Sequence, residues 1–224
     1  MYRSALSYAQ ELGIKLPLVT YNGALVKDPS TGKTLAHWPL ALETAKCIVG
    51  ELLDQDIYVQ AYVNDTLLVP ADCAKAQYYA KFSRVPFEVA GAGLRQLAEA
   101  PHKLLVIDDD PEPIRRHLVT VYGNAIKIVS SSKGFLEITD PETNKWRALQ
   151  FLMKRFEVTR EEILTVGDSD NDYEMVAHAG VGVAMGNAKE TIQKAARIIT
   201  ASNTQSGVSL ILRSVMTNQV DVPE

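Results

Sequence analysis

Three carboxylates, Asp168, Asp170 and Asp172, fall within the tract GDSDND at 167–172. Carboxylates this close repel one another unless a cation or hydrogen-bond donors compensate. All-oxygen donors suit magnesium or calcium rather than zinc. The calcium reading fails on spacing. With Asp168, Asp170 and Asp172 at the first, third and fifth positions of an EF-hand loop, glycine is needed sixth and glutamate twelfth, and those places hold Tyr173 and Ala179. The residues before the tract, ILTV, also form an apolar run of strand type, not a helix. Magnesium, held by one or two carboxylates together with a substrate phosphate, fits better. The plainer alternative is a solvated acidic turn capping the next helix through Asp170 or Asn171, and the tract alone leaves both open.

Lys145 stands upstream, near the start of a predicted helix. Beside a metal-bound phosphate a lysine would neutralise non-bridging oxygens; taken alone it reads as a surface residue. The segment GVGVAMGNA (180–188) lacks the spacing of a dinucleotide fingerprint and reads as a tight strand with turns. His37, His102, His117 and His178 show no metal-ligand spacing and read as structural, and Trp38 and Trp146 as packing residues.

Composition bounds the rest. The 224 residues, 46% of them hydrophobic, suffice for a core in one or two domains. A net charge of −4 supplies no basic stripe for nucleic acid. A small anionic substrate stays compatible, because a local site can be positive on a mildly acidic protein. Cys47 and Cys73 are too few for a disulfide framework and are expected to be buried thiols in a reducing compartment. No apolar run reaches the roughly 18 residues of a membrane span, and MYRSALSYAQELG has no apolar signal region. The expectation is a cytoplasmic protein with no membrane or nucleic-acid partner and an open oligomeric state.

The elements that must position these residues fall into two rhythms. Residues 2–12 have helical spacing, and LPLVTYNG (16–23) is a strand ending at the Asn22-Gly23 turn. Residues 24–38 read as a hairpin across DPSTGK, 42–53 as a helix, and 57–63 with 66–70 as a second hairpin across Asn64-Asp65. Next come a helix over 71–83, the strand FEV, a helix from about Leu94, a strand over 102–108 and a helix over 113–123. Residues 125–131 and 134–139 form one more antiparallel pair. This is an α+β pattern. From 142 onward the order is helix 142–156, strand 163–168, helix 172–180, strand 181–186, helix 188–196, strand 197–200 and helix 207–215. Such alternation implies a parallel sheet with helices on its faces, and it leaves Asp168 at the carboxyl end of a strand, where such sheets bind ligands.

The segments NKWRALQFL, ILTVGDSDNDYEMVAHAGVGVAMGNA and ITASNTQSGV, with LPLVTYNGALV and DPSTGK before them, resemble a Cof-type phosphatase of the haloacid dehalogenase superfamily. The resemblance implies a Rossmann-like α/β core of residues 1–22 and 141–224, interrupted by an α+β cap over 23–140. It implies magnesium-dependent hydrolysis of a small phosphomonoester, a sugar phosphate or similar metabolite. Asp168 would hold the metal, Asp172 would support the metal shell, and Lys145 and Asn171 would contact the phosphoryl group. Asn22, at a hinge, would face substrate. The cap would close over the site and exclude water.

One departure stands out. The family nucleophile, an aspartate in a DxDGT motif, and the hydroxyl residue that ends the next strand have no counterpart in these residues. The helix MYRSALSYAQELG resembles the family's helix just past that second motif, so the expectation is a chain lacking roughly one βαβ unit of about 30 residues. A misassigned start, a gene fragment and an inactive phosphate- or metal-binding relative are the three explanations. The first is favoured because the acidic loop, Lys145 and the hinges are intact. Covalent phosphoryl transfer needs the missing aspartate. The 224-residue polypeptide is therefore expected to turn over an aryl phosphate slowly or not at all with magnesium present; brisk turnover that disappears in Asp168→Ala would overturn this.

Overall fold

A computed structural model describes residues 1–130 and 132–217. They cluster into two compact units, Met1–Thr143 and Asn144–Glu224. No helix among the described residues is long and apolar enough to cross a membrane.

The first unit opens with α1 (Tyr2–Glu11), followed by β1 (Leu18–Thr20), β2 (Leu25–Lys27) and β3 (Thr34–His37), which form a small antiparallel sheet in that order. Then come α2 (Leu42–Asp54), β4 (Val59–Val63), β5 (Thr66–Val69), α3 (Ala74–Ser83), β6 (Phe87–Val89), β7 (Lys103–Ile107), α4 (Glu112–Tyr122), β8 (Lys127–Val129) and β9 (Phe135–Thr139). Strands β4 to β9 make a six-stranded sheet of order β6-β5-β4-β7-β9-β8, antiparallel except for the β5–β6 pair. The β4–β5 turn works as read: Asn64 and Asp65 both take positive φ, as a two-residue hairpin loop requires.

Side chains alternate across a strand, so this sheet has two distinct faces. Val59, Ala61, Leu104, Val106, Leu136 and Ile138 point to one, under α2 and α4, in a wholly apolar cluster. The other carries Tyr58, Tyr62, Leu105, Ile107 and Phe135, packed with Tyr79 of α3, Tyr2 of α1 and Tyr21. Here the tyrosines bury hydroxyls and find partners: Tyr58 donates to Gln60, whose amide donates to Tyr62. On the same face Lys103 and Glu137 form a buried ion pair at 2.6 Å. Burial works most strongly against the Lys103 charge, but the charge and hydrogen bond of Glu137 together with Tyr79 outweigh it, and its pKa is raised.

The second unit runs α5 (Lys145–Phe156), β10 (Leu164–Gly167), α6 (Tyr173–His178), β11 (Val181–Ala184), α7 (Glu190–Ala195), β12 (Ile198–Ile199) and α8 (Gly207–Met216). Its three strands are parallel, in the order β10-β11-β12. Val181 and Val183 of β11 pack on Ile211 of α8, while Val176 of α6, Ala184 and Ile192 of α7 form a separate cluster.

Several expectations are corrected. The helix expected from residue 142 begins at Lys145, because Asn144 caps it by accepting from the Arg147 amide at 2.8 Å. The helix expected from Leu94 is a 3-10 segment, Gly91–Gln96, whose Gly91 takes positive φ. Cys47 is exposed rather than buried: α2 turns Ala45, Ile48 and Val49 inward, which leaves position 47 outside. Ser131, the last residue of the strand expected over 125–131, lies outside the described residues. Residues 1–22 group with the first unit, where β1 pairs with β2 and Asp65 binds the start of α1.

Gly182 sets the spacing of the second unit. A Cβ there would meet the Val176 carbonyl oxygen at 1.8 Å, so α6 lies on β11 only because the side chain is missing. The backbone cannot absorb such an overlap without strain. Gly182→Ala is expected to cost this unit about 2–3 kcal/mol, read by urea unfolding followed through Trp146 fluorescence with Trp38 replaced by Phe. An unchanged midpoint would refute the packing argument.

Candidate active site

The end of β10 hands the chain directly to the acidic tract. Gly167 is the last strand residue and Asp168 the first beyond it. Ser169 then caps a 3-10 turn, Asp170–Asp172, in a reciprocal arrangement: its side chain accepts from the Asp172 backbone while the Asp172 carboxylate accepts from the Ser169 amide. Ser169 thus caps the 3-10 turn, and α6 follows at once with Asp172 at its N-cap position, rather than the Asp170 or Asn171 expected from sequence.

Asp172 organises this turn. It is buried, 5% exposed. One carboxylate oxygen accepts from the backbone amides of Asp168 and Ser169, at 3.0 and 3.1 Å. The other accepts from Nζ of Lys145, the first residue of α5, at 2.5 Å. Gly167 makes room for this: a Cβ there would fall 2.4 Å from that of Asp172. Thr165, two residues earlier on β10, donates its hydroxyl to the Met175 carbonyl and ties the strand to α6.

Asp168 and Asp170 are placed differently. Asp170 is exposed and ion-paired with Lys189 at 2.5 Å. Asp168 is half-buried, and among the described residues its carboxylate bonds only neutral groups. Ser169 Oγ donates to one oxygen at 2.9 Å, and the Asn187 amide to the other at 3.3 Å. Asn187 is held in turn by the Asn203 amide, which donates to its Oδ1 at 2.8 Å. Two of the three carboxylates therefore have a lysine each, and among the described residues Asp168 has none.

The structure brings Lys145, Asp168, Asn171 and Asp172 together in the second unit. Asn22 belongs to the first. It sits in the turn Tyr21–Gly23 with a left-handed backbone (φ 59°, ψ 22°), and its amide donates to Glu137 at 2.7 Å. Sequence reasoning assigns no role to Asn187, Lys189, Ser169 or Asn203. The signal available is the GNA turn and the NTQSG segment, whose roles depend on the β11 and β12 connections folding toward Asp168.

The donor set is compatible with magnesium. Among the described residues no three His, Cys, Asp or Glu side chains form a ready-made metal cage. Calcium wants six to eight oxygens from its protein, whereas magnesium keeps several waters and takes one or two carboxylates plus substrate oxygens. A single uncompensated carboxylate at a strand end suits the second pattern.

Residues 1–212 match the profile of the haloacid dehalogenase-like hydrolases. The chain is 31% identical over 225 residues to a 5-amino-6-(5-phospho-D-ribitylamino)uracil phosphatase of Bacillus subtilis, covering 95% of this chain and 80% of that one. A solved Thermotoga maritima structure superposes with a TM-score of 0.82 at 33% identity, over 95% of this chain and 81% of its own. A haloacid dehalogenase-like hydrolase from Bacteroides thetaiotaomicron shares the fold with a TM-score of 0.86 at 24% identity, over 95% and 82%.

The two aspartates should separate on substitution. Asp172→Ala strands two backbone amides and an ammonium, and each buried donor left unpaired costs about 1–3 kcal/mol, so a loss of about 2–4 kcal/mol is expected. Asp168→Ala removes two neutral contacts at a half-buried site and should cost less than about 1 kcal/mol. Urea denaturation of both variants checks this; equal losses would contradict the assignment of Asp172 as organiser.

Proposed function

Because the chain belongs to the haloacid dehalogenase-like hydrolases, we propose that this phosphoric monoester hydrolase is magnesium-dependent and acts on a small phosphorylated metabolite, with its second unit supplying the metal- and phosphoryl-binding part of the site. The observation that carries the reading is the uncompensated charge of Asp168 at the carboxyl end of β10. Bound there, magnesium would neutralise phosphoryl charge.

The other residues act around that point. Asp172 holds the Lys145 ammonium in place, and Lys145 neutralises non-bridging oxygens as charge shifts during transfer. Its charge is positioned before substrate arrives, so little reorganisation is needed at the moment of reaction. Asn171 donates a hydrogen bond to the phosphoryl group, and Asn187 orients the Asp168 carboxylate. None of the three aspartates is the attacking group: Asp172 is committed to the turn, Asp170 to Lys189, and Asp168 to the metal.

The substrate class is taken from the relatives. The Bacillus subtilis protein is named for a phosphoribitylamino-pyrimidine, and a phosphorylated sugar or sugar alcohol is the class we assign here. A cytoplasmic location belongs to the same proposal: Cys47 and Cys73 are free thiols, which a reducing compartment preserves.

Magnesium titration followed by thermal unfolding tests the reading. A ligand that binds only the folded state stabilises it by about 2.7 kcal/mol at a hundred times its Kd. Millimolar magnesium should raise the wild-type midpoint and leave Asp168→Ala unmoved. No wild-type shift, or an equal shift in both, would remove Asp168 as the metal ligand.

A further inference from the structure

In the first unit, two histidines far apart in sequence meet. His102, immediately before β7, is 3% exposed. Its Nδ1 lies 2.7 Å from Nε2 of His37, the last residue of β3. Its other nitrogen, Nε2, accepts from the backbone amide of Asp65, in the β4–β5 turn, at 3.3 Å. A backbone N–H can only donate, so His102 Nε2 is the acceptor and the ring proton of neutral His102 sits on Nδ1. That proton is donated to His37 Nε2, which places the His37 proton on Nδ1. One backbone amide thus assigns both tautomers.

Neither ring can take a second proton and keep these bonds. A proton on His102 Nε2 would face the Asp65 N–H, and one on His37 Nε2 would face the His102 Nδ1–H. The surroundings give little help to an imidazolium. Asp65 favours it, but its carboxylate already accepts from the amides of Tyr2 and Arg3, the Arg3 guanidinium and the Tyr21 hydroxyl. Lys27 of β2, the Met1 amine and His37 itself all oppose charge on His102, and the Tyr21 ring covers it at 4.4 Å between centroids. Burial, then His37, pushes His102 down to about 4 from an ordinary 6.5. Burial lowers His37 as well.

We propose that the His37–His102 pair is an acid-released clasp: neutral, it ties the β1–β2–β3 sheet to the six-stranded sheet, and proton uptake undoes the tie. The clasp is one of several ties at this junction: Leu40 donates to the Pro101 carbonyl at 2.9 Å, the Tyr21 hydroxyl to Asp65 and the Asn22 amide to Glu137, and Tyr21 and Leu25 pack against the larger sheet. The same Asp65 that donates to His102 binds the start of α1, so the clasp reaches the helix too.

Linkage gives the sign. The folded pKa of His102 lies below its unfolded value, so the stabilisation is complete above pH 6.5 and is lost as pH falls toward about 4. For this ring alone the folding constant is roughly 30-fold smaller at pH 5 than at pH 7.5, and His37 adds in the same direction.

Nitrogen-15 imidazole spectra of the whole chain, recorded between about pH 4 and 8, read the tautomers directly. Both rings should show Nδ1–H, with His102 still neutral at pH 6 and His37 protonating below its ordinary 6.5. Amide exchange of Asp65 and Leu40, corrected for intrinsic rate, should lose about tenfold protection or more between pH 7.5 and 5. In His102→Gln most of that acid sensitivity should vanish. A ring with the opposite tautomer, one that protonates at pH 6.5 or above, or an acid loss unchanged in His102→Gln would overturn the clasp. If that variant does not fold, the wild-type tautomers and exchange decide the matter.

Discussion

The second unit depends on one buried carboxylate. Asp172 folds back onto the strand that precedes it, where its two oxygens collect two backbone amides and a lysine ammonium. A turn of three aspartates would otherwise be held apart by its own charge. Here one charge is turned inward as a structural acceptor and one outward to Lys189, and among the described residues the third, on Asp168, has no cation beside it. The missing side chain of Gly167 and the hydroxyl of Thr165 serve the same end, since both let α6 sit close to β10. The loop pairs the Asp172 carboxylate fully, while among the described residues the Asp168 carboxylate meets only neutral donors.

The first unit solves a different problem. Its six-stranded sheet keeps one face dry and builds the other from tyrosines, an amide and an ion pair. Burying Lys103 and Glu137 costs solvation that their mutual attraction offsets only with close geometry. Both gain extra partners: Asn22 donates to Glu137, and the Lys103 ammonium lies over the Tyr62 ring at 4.9 Å. The left-handed turn at Asn22 is thereby fastened from the sheet, not from its own hairpin alone.

Much of this is legible in sequence, for identifiable reasons. The strand before Asp168 and the parallel alternation after residue 142 come from apolar runs and glycine stops, which are local signals. The hairpin at Asn64-Asp65 comes from turn chemistry. Other features depend on contacts between distant residues. Lys145 meets Asp172 only once α5 is packed, and nothing in GDSDND says which of its carboxylates turns inward. The separation of 65 positions from His37 to His102 hides a bond that neither β3 nor β7 announces. Cys47 reads as buried because α2 is apolar overall, yet the helical repeat, not the composition, decides which positions face out.

The two faces of the six-stranded sheet should also respond differently to heat. Apolar contacts under α2 and α4 approach a ceiling in strength per unit area as temperature rises. The hydration that Lys103 and Glu137 give up becomes less favourable over the same range, so keeping them dry carries a smaller penalty on warming. The face that carries the ion pair is the side of the sheet that gains ground as the protein warms.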